Sequence, residues 1–282
     1  MSIPPIRRQP ATSDPRDNSP DIQLLPGLNR RTRVHMRAMG ICTVAQVAAL
    51  TLEALDAIPG IGPATAYRVR RYAEAMLQQR AIWMDALPPV CRRPGLMFDL
   101  ETDPETRDPW SLGWCDPDGN VTIALLAPGM APGMLRLEDG SQIVLAADND
   151  AVWQVFCDAA AGDTPIYHWT GYDAGIMRQY APEPVRAHLA GRMHDLHATF
   201  RRSVALPQRS TSLKPVARFL GFEWPDGAEG GMGWWLAWRD YQTWRFAADA
   251  EALARACRYQ RADVDALALV WRWMQAEMRA EG

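Results

Sequence analysis

The sequence predicts an α/β chain, a mixed sheet flanked by helices, with a small all-α domain in front. Three observations carry this. A Pro-Gly motif occurs twice between helix-like runs, at Leu25-Pro26-Gly27-Leu28-Asn29 and Ile58-Pro59-Gly60-Ile61-Gly62. From Leu96 onward the pattern changes to short apolar runs broken by turns, the signature of strands. Two carboxylates, Asp99 and Glu101, then follow the apolar run Leu96-Met97-Phe98 at i and i+2, which on a strand directs both to one face.

Composition bounds the function without naming it. The 282 residues are 48% hydrophobic with a formal net charge of -3, so no global basic field announces a nucleic-acid partner. Of the 30 basic residues only Lys214 is lysine. The five cysteines are scattered with no Cys-x-x-Cys pair, which argues against a disulfide framework or a zinc ribbon and fits a reducing cytoplasm. No apolar run approaches the ~18 residues of a membrane span, and no apolar signal core stands at the N-terminus, so a cytoplasmic location is expected.

Taken in order, residues 1–22 read as a disordered tail rich in Pro, Arg, Ser and Asp. Residues 23–87 form the first ordered domain. In its second motif Pro59 and Gly60 end one helix, Gly62 lets the backbone turn closely, and the freed amides sit at a helix N-terminus, which attracts phosphate. Eight Arg (30, 31, 33, 37, 68, 70, 71, 80) face only Glu53, Asp56 and Glu74 between Leu24 and Trp83. These residues resemble a tandem helix-hairpin-helix module, a family that grips the nucleic-acid backbone. Gly60, Ile61, Gly62 and Thr65 are its candidate contacts, with Arg68 and Arg71 one turn on. The first copy carries Asn29 where the second Gly belongs and is expected to be mainly structural.

Residues 88–94 read as a Pro-rich linker. The 95–282 region opens with a three-strand meander through Trp110–Cys115 and Val121–Leu126, followed by a helix over 148–161, a strand at 165–169 and a helix over 174–180. That order begins an RNase H-like mixed sheet, in which carboxylates gather where strands end and helices start. Two like charges side by side on a buried wall call for a divalent cation between them and for further acids from elsewhere. Asp173 follows a strand at the first turn of its helix. Tyr259 and Asp263, at i and i+4, share a face of a long helix over 250–278.

Phe98-Asp99-Leu-Glu101-Thr, His168-Trp-Thr-Gly-Tyr-Asp173 and Tyr259-Gln-Arg-Ala-Asp263 together resemble the three motifs of the DnaQ-like, or DEDD, 3′–5′ exonucleases of the tyrosine subclass. Asp195-Leu, Ser212-Leu-Lys214-Pro-Val-Ala-Arg-Phe-Leu-Gly-Phe-Glu-Trp224 and Trp234-Trp235-Leu-Ala-Trp238 resemble the terminal domain of RecB-like nucleases, where a helix-hairpin-helix unit also stands in front. The resemblance implies that Asp99, Glu101, Asp173 and Asp263 hold two Mg²⁺ or Mn²⁺ ions, that Asp99 bridges them, and that Tyr259 orients the attacking water. It implies a metal-dependent 3′–5′ exonuclease acting on DNA, alone or beside a separately encoded nuclease or repair protein. A non-enzymatic nucleic-acid scaffold and an RNA exonuclease are the rival readings.

Outside the motifs, Ser212 and Lys214 at a helix start are candidate phosphate contacts. Asp195 reads as a cap, or as an added acid. Trp234, Trp235, Trp238 and Trp244 suit core packing better than stacking on bases. His168, His194 and His197 lack zinc spacing.

Overall fold

The computed structural model describes residues 19–225 and 232–280. It divides into two compact units, one holding the described residues up to Asp85 with Ser203–Ser210, the other Ala86–Arg202 with the chain from Thr211 onward. Among the described residues no helix is long and apolar enough to cross a membrane.

The first unit is built on four helices, α1 (Arg30–Ala38), α2 (Val44–Ala49), α3 (Leu52–Asp56) and α4 (Pro63–Gln78). Each of the first three starts on a side chain that fills an orphan amide: Asn29 on Thr32, Thr43 in a reciprocal box with Gln46, Thr51 on Ala54. Gly40 stops α1 at a φ of +81°. Met36, Val47, Leu55, Ile58, Val69 and Ala73 close the core. Most of the tail expected over 1–22 lies outside the described residues. Its end does not behave as tail: Ile22 is fully buried in this core, and Asp21 caps the 3-10 turn Ile22–Leu24. A two-residue strand β1 (Ile82–Trp83) pairs antiparallel with Val204–Ala205, numbered β9, and Ala205 joins the same core. The first unit thus includes a segment far along the chain, which local composition cannot reveal.

The second unit carries a seven-stranded sheet of β2 (Leu96–Thr102), β3 (Pro109–Cys115), β4 (Val121–Leu126), β5 (Gly133–Arg136), β6 (Gln142–Ala146), β7 (Ile166–His168) and β8 (Met193–Asp195). The order is β5-β6-β4-β3-β2-β7-β8. The β2-β3-β4 meander is antiparallel, whereas β7 runs parallel to β2 and β8 parallel to β7. The expected meander is present, and the β5-β6 hairpin adds two strands beyond it.

Helices α5 (Asn149–Ala159), α6 (Gly171–Tyr180) and α7 (Glu183–Leu189) follow, then α8 (Leu196–Ser203), α9 (Leu213–Phe219), α10 (Gly233–Ala247) and α11 (Ala250–Ala280). Leu96, Phe98 and Leu100 pack with Val152, Trp153 and Phe156 of α5, and Phe98 stacks on Phe156 with centroids 4.4 Å apart. Strand alternation therefore sends Asp99 and Glu101 to the opposite face, where α11 lies against β2 and β3.

The residues expected as a linker are instead built into this unit. Pro89–Arg92 form a 3-10 turn with Cys91 buried, and the Cys91 carbonyl accepts from Trp271 Nε1 at 3.0 Å and Gln275 Nε2 at 2.6 Å. Tyr167 donates its hydroxyl to the carbonyls of Val90 and Arg93.

Candidate active site

Asp99, Glu101 and Asp263 each present a ligand atom such that the three lie within 4.8 Å of one another. Strand β2 supplies the first two by its two-residue period, and α11 supplies the third. Glu101 and Asp263 are buried, and Asp99 Oδ2 is shielded from solvent with no hydrogen-bond partner among the described residues. An orphaned carboxylate oxygen beside two other acids is the donor set a hard divalent cation takes, so the residues present fit such an ion.

The electrostatics agree. Burial pushes Asp99 well above the usual carboxylate range, and the charges of Glu101, Asp263 and Asp173 push it further. Glu101 is raised by burial and by Asp263, and Asp263 is raised by burial.

Asp173 stands outside the three-acid group. It is buried in the first turn of α6, just beyond the end of β7. Burial lifts it to about 7, opposed by backbone hydrogen bonds at Asp173, Thr170 and Leu100 and reinforced by Asp195. Leu100 lies between Asp99 and Glu101, so the Asp173 carboxylate sits alongside β2 without converging as closely as the other three. His168, which donates Nδ1–H to the Thr170 carbonyl, lies 4.0 Å from Asp173 and is held toward its neutral form by burial. Asp195 caps α8 by accepting from Ala198 N at 2.7 Å.

Tyr259 is buried and its phenol is raised by burial and by Asp263, Glu101 and Asp99, so it stays protonated. Its oxygen accepts from Lys214 Nζ at 3.2 Å, and the ammonium stands 4.6 Å from the ring centroid. Lys214 pulls Asp99, Glu101 and Asp263 back toward ionisation. It is thus a cation within the acidic cluster, a place its spacing after Ser212 does not disclose. Ser212 precedes α9 without a side-chain cap bond.

Two residues that lie within the motifs, but to which the motifs assign no role, also take part. Trp224 donates Nε1–H to Asp263 Oδ1 at 2.8 Å, and Gln260, wholly buried, donates to the Asp99 carbonyl at 3.3 Å. A hint of the second was the polar Gln260 beside Tyr259 on a helix with an apolar inner face. Of the Trp-rich segment, Trp244 is buried, Trp238 packs on Trp110, and Trp234 and Trp235 remain exposed.

In the first unit, the two hairpins clasp each other's helices. Gly27 lies against Val69 of α4, while a Cβ on Gly60 would fall 2.8 Å from Thr32 Oγ1 of α1. The close approach belongs to Gly60, at φ +90°, and not to Gly62, which has open space around it and starts α4 with no side-chain cap. Ile61 is buried, Thr65 and Arg68 are half-buried, and Asn29 occupies the Thr32 amide in the first hairpin. Arg71, a candidate contact, is engaged within its own unit: its guanidinium bonds Glu74 at 2.7 Å and the Trp83 carbonyl at 2.9 Å.

A mixed seven-stranded sheet on which acids from β2 and α11 converge, in a chain that also carries paired helical hairpins, points to a nucleic-acid-processing protein of the nuclease type. Residues 96–275 match the family model described as RNase_H superfamily, so the chain belongs to the RNase H superfamily, whose nucleases use divalent metals. Residues 20–75 match the model of a SAM-like tandem helix-hairpin-helix, a nucleic-acid-binding module. Searches of curated proteins and of solved structures gave no match.

Proposed function

We propose that the chain is a divalent-metal-dependent 3′–5′ exonuclease that hydrolyses phosphodiester bonds of DNA, with Asp99, Glu101, Asp173 and Asp263 as the ligands of two Mg²⁺ or Mn²⁺ ions. The observation that carries this is the convergence of Asp99, Glu101 and Asp263 with an orphaned oxygen facing two acids. The 3′–5′ polarity rests on the ordered resemblance of the three motifs. When bound, such ions supply a hydroxide nucleophile at neutral pH and stabilise the leaving oxygen.

The chain's own residues do the rest. Asp263 is held in place by the Trp224 donor. Tyr259, kept as a phenol, orients by hydrogen bonding and does not act as a base. Lys214, beside that phenol, offsets the charge of the acids and meets a phosphate of the substrate strand. Gly60, Ile61, Gly62, Thr65 and Arg68 grip the backbone through the start of α4.

The test is incubation of 5′- and 3′-labelled single- and double-stranded DNA and RNA with Mg²⁺ or Mn²⁺, comparing wild type with Asp99→Asn. We expect progressive shortening of 5′-labelled DNA, release of mononucleotide from 3′-labelled DNA, and a rate at least ~100-fold lower in the variant, since even outer-shell partners of a metal are worth 10–100-fold. Equal persistence of every substrate with both proteins overturns the enzymatic reading. Faster loss of RNA reassigns the substrate.

A further inference from the structure

Between α11 and the sheet lies a polar contact that the catalytic motifs leave unexplained. Gln260 and Ser111 are both completely buried. Ser111 donates its hydroxyl to Gln260 Oε1, and Gln260 Nε2 donates to the Asp99 carbonyl at 3.3 Å. The position opposite Asp99 on β3 is Gly113, where a Cβ would fall 2.9 Å from both Cγ and Cδ of Gln260. Ser111 itself stands opposite Glu101. The amide thus touches the cross-strand partner of each strand acid and the backbone of one of them.

On α11, Gln260 precedes Asp263 by three residues, so the two share a helix face. Fixing one fixes the axial position and rotation of the other. Slippage by one residue moves a helix about 1.5 Å along its axis and turns it by about 100°. Either displacement is large against the tight distances a hard cation demands of its oxygen ligands. An apolar side chain would fill the same space without defining a register, whereas two directed hydrogen bonds and the missing Cβ at Gly113 admit one.

Building on the metal-centre reading above, we infer that Gln260, with Ser111 and Gly113, is a positioning device that locks α11 to β2 and β3 and so holds Asp263 at the distance from Asp99 and Glu101 that ion binding requires. It touches no substrate.

The experiment uses the full chain, with Mn²⁺ as probe. Uptake is followed by the electron paramagnetic resonance signal of the free ion, beside the melting temperature in chelator and separate kcat and KM values. Gln260→Met keeps the volume and removes both hydrogen bonds, Ser111→Ala removes one, and Asp99→Asn marks the site. We expect Gln260→Met to weaken Mn²⁺ binding about 10–100-fold, in line with outer-shell partners of metal ligands. Ser111→Ala should shift it in the same direction by less, with kcat reduced and KM little changed in both. Unaltered Mn²⁺ affinity in a folded Gln260→Met protein overturns the positioning role and leaves the centre standing, even if the melting temperature falls. Should that variant not fold, Ser111→Ala decides by the same criterion. Equal Mn²⁺ uptake by wild type and Asp99→Asn overturns the centre itself, and the positioning role with it.

Discussion

Asp99 illustrates what burial among other acids does to a carboxylate, even with Lys214 close by. Its Oδ2 has no partner among the described residues, and Glu101, Asp263 and Asp173 all oppose its charge. Replacing one carboxylate by an amide of the same shape removes that repulsion and the desolvation of a charge. In chelator near neutral pH, Asp99→Asn should therefore melt about 2–4 °C above wild type, the shift that ~1 kcal/mol makes in a domain of this size. Added Mn²⁺ should raise wild type and leave the variant still, because an ion stabilises only the state that binds it. Thermal unfolding with and without Mn²⁺ checks both arms. Asp99, Glu101, Tyr259 and Asp263 were legible because fixed periods, i+2 on a strand and i+4 on a helix, place side chains without knowledge of the fold. Gln260 was not, and Lys214 was legible as a candidate phosphate contact but not as a neighbour of the acids. Their positions depend on which element packs opposite, and a polar residue on a helix reads by default as solvent-facing.

At the scale of elements, the hairpins separate two uses of glycine that a Pro-Gly-x-Gly motif runs together. Gly60 has a φ of +90° and its missing Cβ would meet Thr32, so Gly60→Ala should lower stability by about 1–3 kcal/mol. Gly62 has open space and extended geometry at the start of α4, so Gly62→Ala should change stability by less than ~0.5 kcal/mol. Chemical denaturation of the two variants measures the contrast; equal losses refute it. Side chains at Asn29, Thr43, Thr51 and Asp148 cap the starts of four helices. The β5-β6 hairpin was hidden for a physical reason. Every residue of β5 is exposed, so no apolar alternation marks it, and it is held by main-chain pairing to β6. Strand β7 was expected at 165–169, whereas β8, three residues long, is too short to carry a period.

For the whole molecule, the buried acids couple folding, pH and metal, and the sign follows from their shifts. Asp99, Glu101, Asp173 and Asp263 all bind protons more tightly in the folded chain than an ordinary carboxylate does, Asp173 up to about 7. Between the ordinary carboxylate range near 4 and about pH 7, the folded state therefore holds more protons than the unfolded state. Stability rises with pH only where the unfolded state holds more, so here it falls. In chelator the second unit should be most stable near the ordinary carboxylate range and lose a few kcal/mol by pH 7, each pKa unit being worth about 1.4 kcal/mol. A divalent ion displaces those protons, so its affinity must climb over the same interval and the melting temperature with excess Mn²⁺ should be flat or rising. Melting curves at pH 5, 6, 7 and 8, with chelator or Mn²⁺, test this directly. Asp99→Asn separates the centre from the remaining carboxylates, because only the transition belonging to the second unit should lose slope. A chelated wild type that gains stability across that interval would show that the acids are not held against their ionisation, and the convergence of Asp99, Glu101 and Asp263 would then need another account.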